Sequence, residues 1–356
     1  MNSFFELIQV AIGVRERLSQ LPRDRAEWED LFKVCGKHNL VAISFPVIDA
    51  LHDEVDVPLG VYSRWAMMAE KVRQKNSRLN EVCKYLNDLF AGFGLRSCVL
   101  KGQGVATLYP DPFLRQCGDV DIWLEGSRER VISVCREHFE VKQIVYHHLD
   151  IHSVRGVNVE AHFTPSWMNS PVANRRLQKY FASRADEQFS NYSEEIGFGM
   201  PTGRFNAVYL LIHIYRHVLD EGIGLRQLLD YYYTLKALTP EDREAAVADI
   251  KFLKLEKFAS GVMDLLVKVF AAPSEWLLFA PDEKQGAFLL DEIMVSGNFG
   301  RYDSRNAHPS DETRVMHARR KITRSLRYIT HYPDEVLSIP VFMVWHYIWR
   351  LFKGYL

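Results

Sequence analysis

The sequence predicts an α+β fold in which a mixed β-sheet lies in the middle of the chain, with helical regions before and after it. Apolar residues recur every three or four positions through the first ninety residues, and this spacing returns from about residue 205. Between them lie short apolar runs bounded by glycines, which are typical of buried strands. We therefore divide the chain into an N-terminal helical region (1–93), an α/β core (94–200) and a C-terminal helical region (201–356).

The composition is that of a globular protein with a substantial core. Hydrophobic residues make up 47% of the 356 positions, and 44 basic residues against 45 acidic ones leave a net charge of -1. Such a chain has no global field that attracts nucleic acid, so there is no strong nucleic-acid signature. Five scattered cysteines form no C-x-x-C pair, and no apolar run is long enough for a transmembrane segment. We expect a cytoplasmic protein with free thiols.

Each region has its own local signals. In the first, Leu86, Leu89, Phe90 and Phe93 show helical spacing. In the core, we predict helices at 104–109 and 127–138, a hairpin turn at Arg155-Gly156, and strands at 95–100, 121–124, 141–146, 149–154 and 157–163. In the last region, caps or breakers separate the helices at Thr202, Gly222, Thr239-Pro240, Pro273 and Pro281.

Acidic residues near the second predicted strand suggest a metal site. Asp119 and Asp121 are two positions apart, so a strand would present both carboxylates on one face. A cation between them would relieve their repulsion, and oxygen ligands favour Mg²⁺ or Mn²⁺. A two-metal site needs a third acid. We assign Glu160, which alternates with Val159 and Ala161, rather than Glu125, which lies too far along the strand from Asp121.

The turn after the first predicted strand has the composition of a phosphate-binding loop. Gly102 and Gly104 allow close approach of the backbone to a phosphate, and a helix that begins there would present its N-terminal amides to an anion. Lys101 and Arg115 would add positive charge. For Arg115 an ion pair with Asp119 or Asp111 is the alternative.

The motifs resemble those of the nucleotidyltransferase (polymerase-beta-like) superfamily, and more narrowly of an uncharacterised nucleotidyltransferase family with the pattern L-K-G, Y-P-D-P, Arg and G-D-x-D. Here these motifs are residues 100–102, 109–112, Arg115 and 118–121. The resemblance implies a polymerase-beta-like mixed sheet, a metal site at Asp119, Asp121 and Glu160, and a triphosphate at the Lys101-Gly102 turn. The nucleotide-binding residues would be Lys101, Gly102, Gln103, Arg115 and Gly118.

The reaction implied is transfer of a nucleoside monophosphate from an NTP to a hydroxyl-bearing acceptor that the sequence does not identify. ATP, and hence AMP transfer, is the default because ATP is abundant in cells. One alternative is a non-catalytic nucleotide-binding scaffold, and another is toxin-like modification of a protein or tRNA.

Histidines form two further groups. His147, His148, His152 and His162 lie on the strands near Glu160, and a neutral histidine there could serve as a base; His162 is a possible pocket residue. His213 and His217, four apart on a predicted helix with Asp220 beyond them, are also possible pocket residues. For these two, hydrogen-bonded histidines are favoured over a zinc site, because the Glu of H-E-x-x-H is missing.

The end of the chain is rich in aromatic residues. Between 339 and 352 it carries Phe342, Trp345, Tyr347, Trp349 and Phe352, directly after a basic stretch. Because apolar residues occur on all sides of this predicted helix, we favour packing on the core or on another subunit. The alternative is a membrane-surface helix with weak peripheral contact.

Overall fold

Four helices form the first part of the computed structural model, which describes residues 2–306 and 313–355. They are α1 (Asn2–Ala11), α2 (Arg25–Lys37), α3 (Val41–His52) and α4 (Leu59–Gly92). The carboxylate of Asp24 caps α2 by accepting a hydrogen bond from the amide of Glu27. The helical spacing seen in the sequence is thus confirmed.

The middle of the chain forms a five-stranded sheet with the strand order β1-β2-β5-β4-β3. Strands β2 and β5 run parallel, and the other neighbours run antiparallel. The elements in chain order are β1 (Ser97–Leu100), α5 (Gly102–Ala106), β2 (Val120–Leu124), α6 (Arg128–His138), β3 (Val141–Ile144), β4 (His148–Val154) and β5 (Val157–His162). All five predicted strands are present. The expected helix at 104–109 begins and ends earlier, as α5.

The Arg155-Gly156 hairpin is also confirmed. Both residues have positive φ, +50° for Arg155 and +82° for Gly156, and Val154 pairs with Val157 directly across the turn. A two-residue loop with positive φ at both positions matches the right-handed twist of the strands. The turn fixes the pair next to it, and the register shifts between Ile151 and Val154 before the strands reach His148 and His162.

Side chains alternate between the two faces of the sheet. Ile122, Val159 and Ala161 belong to an apolar cluster with α4 and α6, whereas Trp123 packs on the opposite face against Phe205, with ring centroids 5.9 Å apart. Because strand residues two apart share a face, the residues that follow this second pattern point away from α4. Asp121, Glu160 and His162 are three of them.

The remaining elements are α7 (Pro171–Ser190), α8 (Gly203–Asp220), α9 (Leu225–Ala237), α10 (Pro240–Leu253), α11 (Glu256–Phe270), α12 (Glu283–Ser296), α13 (Arg314–Ser325) and α14 (Pro333–Lys353), with a small two-stranded sheet, β6 (Tyr192–Ser193) and β7 (Phe198–Gly199), between α7 and α8. Helices α7 and α8 cover this second face, where Phe181, Phe189 and Phe205 pack against Trp123. Thr202 and Thr239 cap α8 and α10, as predicted. The sequence analysis missed α7, although Ser170-Pro171 is a cap followed by a first-turn proline.

The last helix packs with one face only. Val336 and Ile339 are buried, and the rings of Phe342 and Trp345 lie 6.2 and 5.7 Å from that of Tyr146. The other face exposes Leu337, Val341, Val344, Tyr347, Ile348, Leu351 and Phe352. Packing on this chain's own core therefore buries one face of the helix and leaves the other exposed. Within the described residues no helix is both long and apolar enough to span a membrane.

Candidate functional site

A cavity of about 300 Å³ lies between the second face of the sheet and α8. It has strand residues on one side and helix residues on the other. Of the residues that the sequence analysis proposed, those lining it are Lys101, Gly102, Arg115, Gly118, Asp119, Asp121, Glu160, His162, His213 and His217.

Asp121 and Glu160 form the acidic centre of the cavity. They are paired in register on the parallel strands β2 and β5. Asp121 is only 1% exposed, and its Oδ2 has no hydrogen-bond partner within the described residues. A buried carboxylate oxygen without a partner is costly unless a ligand satisfies it. The pairing of β2 with β5 places Glu160 directly beside Asp121, as its assignment as the third acid requires.

His162 bridges the two acids. Its Nε2 lies 3.1 Å from Oδ1 of Asp121 and 3.4 Å from Oε2 of Glu160. Burial alone would lower the pKa of His162, but the hydrogen bonds to both carboxylates outweigh it and raise the pKa to about 9. Burial would raise the pKa of Glu160, yet His162 and His148 together lower it to about 2. The imidazolium of His162 thus compensates the negative charge of Asp121 and Glu160.

Asp119 lies one residue before β2 and is partly exposed. It lines the cavity, but its carboxylate is not part of the close donor groups found among residues 2–306 and 313–355. The structure thus brings Asp121 and Glu160 together and leaves Asp119 at the mouth.

The turn after β1 has an unusual backbone. Lys101 and Gly102 both have a φ of +42°, which glycine adopts freely and lysine rarely does. The Lys101 ammonium lies 3.0 Å from Oδ1 of Asp121. Burial works to lower the pKa of Lys101, but Asp121 and the neighbouring acids raise it above its ordinary value. A strained backbone at a charged turn is a frequent feature of functional sites.

Gln103 lies behind this turn. Its side-chain amide donates to Asn80, and its carbonyl oxygen is 2.8 Å from Sγ of Cys117. Cys117, like the other four cysteines, is an unpaired buried thiol. Gln103 therefore ties the turn to α4 and to the segment before β2.

Arg115 pairs with neither of the two acids considered from the sequence. Its guanidinium forms a two-pronged contact with Asp230 of α9, at 2.6 and 2.7 Å, and Asp111 pairs instead with Arg73. Arg115 and Asp230 are almost completely buried, and Tyr109 donates a third hydrogen bond to Asp230 at 2.7 Å. Arg115 reaches the cavity wall, but its charge is already neutralised by this partner.

Glu125, the competing candidate for the third carboxylate, and Arg155 of the hairpin turn do not line the cavity. Glu125 forms a partly exposed ion pair with Arg96, with contacts of 2.6 and 2.8 Å. The Arg155 guanidinium stacks 3.9 Å from the ring centroid of Tyr85. Glu125 therefore does not compete for the position that Glu160 holds.

Helix α8 supplies the opposite wall. The rings of His213 and His217 are 4.3 Å apart, and burial lowers the pKa of His213 well below its ordinary value. Asp220 pairs with Arg216 and Lys321. In the described part of the chain, none of these groups joins a donor cluster suited to a metal. The zinc alternative for this helix therefore has no support in the geometry.

Several wall residues escaped the sequence analysis, among them Tyr209, Arg216 and Trp167. Tyr209 and Arg216 lie on the same side of α8 as His213, at helical spacing, which was a usable signal. The Arg216 guanidinium stacks 4.2 Å from the ring centroid of Trp167. Trp167 lies in an irregular segment, where no periodicity points to it.

The donor chemistry fits a divalent cation. One atom each from Asp121, Glu160 and His162 lies within 4.8 Å of the others. Two carboxylates and the unsatisfied Oδ2 of Asp121 suit an oxygen-preferring ion such as Mg²⁺ or Mn²⁺. The carboxylates of Asp121 and Glu160 would hold it.

The structure is an α+β fold, a five-stranded mixed sheet with helical flanks that carries an acidic pair beside a Lys-Gly turn. The chain belongs to the family described as uncharacterised nucleotidyltransferases, whose model matches residues 24–271. A similar solved structure is that of an antigenic nucleotidyltransferase-like protein from Paracoccidioides brasiliensis. It has 12% sequence identity and a TM-score of 0.35, and the match covers 58% of this chain and 95% of that one. No curated protein matches significantly.

Proposed function

We propose that this protein is a metal-dependent nucleotidyltransferase that moves a nucleoside monophosphate from an NTP to a hydroxyl-bearing acceptor. The observation that carries the proposal is the in-register pairing of Asp121 with Glu160, next to the Lys101 ammonium. ATP is the default donor because of its abundance in cells, and the cytoplasm is the proposed location.

The roles follow from position. Asp121 and Glu160 would hold Mg²⁺ or Mn²⁺ with Asp119, and the bound ion would neutralise phosphate charge and lower the pKa of the acceptor hydroxyl. The backbone at Gly102 admits a phosphate group without side-chain obstruction. Lys101 is within reach of a triphosphate at the turn and can exchange its contact with Asp121 for one with phosphate. Arg115 and Gln103 act as positioning residues for the turn and the acidic strand.

The family and the buried acids favour this chemistry over a scaffold role. A carboxylate pair that is never neutralised by a ligand costs stability through repulsion and burial. Lys101 and His162 lie against these acids. Both are groups that a bound cation can replace.

The test is to incubate the protein with each labelled NTP, Mg²⁺ and host lysate, and to identify which molecules carry label. Glu160→Gln should abolish transfer, and Asp121→Asn should reduce it by orders of magnitude. Glu125→Gln is the matched control, because its carboxylate belongs to an exterior ion pair, and it should stay close to wild type. Tight Mg²⁺-dependent NTP binding without any transfer would favour the scaffold. Equal NTP affinity in EDTA would contradict the proposal.

A further inference from the structure

Three histidine rings meet where β4 begins and β5 ends. Nδ1 of His148 lies 2.8 Å from Nε2 of His147, and the ring centroids of these two residues are 5.2 and 5.4 Å from that of His162. One nitrogen from each ring lies within 4.8 Å of the other two. Ligand atoms about 2.0–2.1 Å from a tetrahedral Zn²⁺ are themselves about 3.3–3.4 Å apart. The His147–His148 separation is that of a hydrogen bond, so a bound cation would replace this bond and move the two nitrogens about 0.5 Å further apart.

The surroundings hold two of the rings in place. Nε2 of His148, opposite the nitrogen that faces His147, lies 3.0 Å from a carboxylate oxygen of Asp150. A carboxylate on the far nitrogen is the usual orienting partner of a metal-binding histidine. The ring of His147 packs against that of Trp167, with centroids 3.9 Å apart. The backbone carbonyl of His147 accepts a hydrogen bond from the amide of Phe163 at 2.8 Å.

The third ring is the most buried. His162 is 3% exposed, and its Nδ1 has no partner within the described residues. Its Nε2 faces the carboxylates of Asp121 and Glu160, and one of its nitrogens lies within 4.8 Å of a nitrogen of His147 and of His148. Glu160 lies between the groups, since its Oε2 is 3.5 Å from Nδ1 of His148 and 3.4 Å from Nε2 of His162. It is placed to share an ion with the acidic centre as a bridging carboxylate.

We propose that His147, His148 and His162 form a binding site for a divalent transition-metal ion of the zinc type, beside the carboxylate site. Imidazole nitrogen favours Zn²⁺ and its neighbours in the first transition row, whereas Mg²⁺ takes oxygen ligands. The site thus differs from the Mg²⁺ site of the proposed function in donor chemistry, and it does not depend on that function.

The position of the ion gives it access to a second cavity. His147, His148 and Trp167 line both the cavity described above and another of about 950 Å³ against α14. Zinc sites with three protein ligands keep a coordination position open for water or an exogenous oxygen. The ion would lie between the two cavities, and its open position would take one oxygen ligand from either of them.

The experiment uses the full chain, prepared without a polyhistidine tag and stripped of metal with a chelator that is then removed. Zn²⁺ is titrated by calorimetry in excess Mg²⁺, and Co²⁺ is titrated by visible absorption, which reports nitrogen coordination. We expect one equivalent of Zn²⁺ with micromolar or tighter affinity. His147→Ala and His148→Ala should each weaken it at least tenfold, and Asp150→Asn should weaken it less.

The matched control is His152→Ala, an exposed histidine on the same strand, which should bind Zn²⁺ like wild type. Thermal unfolding of each variant shows whether it folds, and added Zn²⁺ should raise the melting temperature of wild type and His152→Ala but not of His148→Ala. No stoichiometric binding by wild type, or binding equal in all variants, would overturn the proposal. Zn²⁺ binding without nucleotidyl transfer would instead contradict only the proposed function.

Discussion

The ammonium of Lys101 lies 3.0 Å from Oδ1 of Asp121. Lys101 directly follows β1, whose last residue, Leu100, pairs with Asp121 of β2. This contact places a positive charge where a divalent cation or a phosphate would also be attracted. The charge balance at Asp121 therefore depends on the side chains of Lys101 and His162.

Replacing Lys101 by Met should therefore destabilise the protein in the absence of ligands. Asp121 would keep His162 but lose its second counter-charge, and we expect a loss of about 1–3 kcal/mol in the free energy of unfolding. Urea unfolding in EDTA measures it. The Lys101→Met/Asp121→Asn double variant should recover much of the loss; a double variant as unstable as the sum of both singles would show that the pair is not coupled.

The buried pair of Arg115 and Asp230 should be a major determinant of stability. Arg115→Met leaves a carboxylate buried without its two-pronged partner, which costs about 3–5 kcal/mol. The matched control is Arg226→Met, which removes the more exposed 3.2 Å contact to the same Asp230 and should cost less than half as much. Equal losses for the two variants, measured by denaturant unfolding, would contradict this interpretation.

The buried His38 should make the protein sensitive to acid. Its ring is inaccessible, neither ring nitrogen has a partner within the described residues, and burial lowers its pKa from 6.5 to about 3. Because the unfolded chain takes up the proton first, the stability from this group is complete above pH 6.5 and is lost as the pH falls towards 3. The change is at most about 1.4 kcal/mol per pH unit.

His38→Phe keeps the ring stacked on Phe4 but cannot bind a proton. The difference in unfolding free energy between the variant and wild type should therefore grow in favour of the variant from pH 7.5 to pH 5. If that difference stayed constant, His38 would not be the cause.

Trp349 should stabilise the attachment of α14. Its ring lies 4.9 Å from the Arg128 guanidinium and 6.3 Å from the ring of Tyr146. Trp349→Ala should lower the free energy of unfolding by about 1–3 kcal/mol. Phe352, which is 85% exposed, is the control on the same helix, and Phe352→Ala should change stability by less than about 0.5 kcal/mol. If Phe352→Ala lowered the free energy of unfolding more than Trp349→Ala, the outer face of α14 would have to be covered in solution.

The strands and the acidic pair could be predicted because their signals are local. Alternation places Glu160 opposite Val159 and Ala161, and glycines mark the end of β1, both ends of β2 and the turn between β4 and β5. The parallel neighbours β2 and β5 then bring Asp121 and Glu160 together. The local pattern could not place Asp119, because the strand begins one residue after it.

The partner of Arg115 could not be predicted for the opposite reason. Asp111 and Asp119 are near in sequence, whereas Asp230 is 115 residues away, and no periodicity links a loop to a distant helix. The meeting of His147 and His148 with His162 likewise depends on the register of the β4–β5 hairpin. That register depends on the Arg155-Gly156 turn together with the irregularity between Ile151 and Val154, and not on the histidines.

The bond between Arg115 and Asp230 also has a consequence for how the chain folds. Contacts between residues far apart in sequence form only after the chain between them has lost loop entropy, and only then do they stabilise the folded state. The helices and the β4–β5 hairpin can form from local contacts, but this pair must wait until α9 docks against the sheet. The cavity is therefore completed late in folding, and during synthesis it can close only after residue 230 has been made.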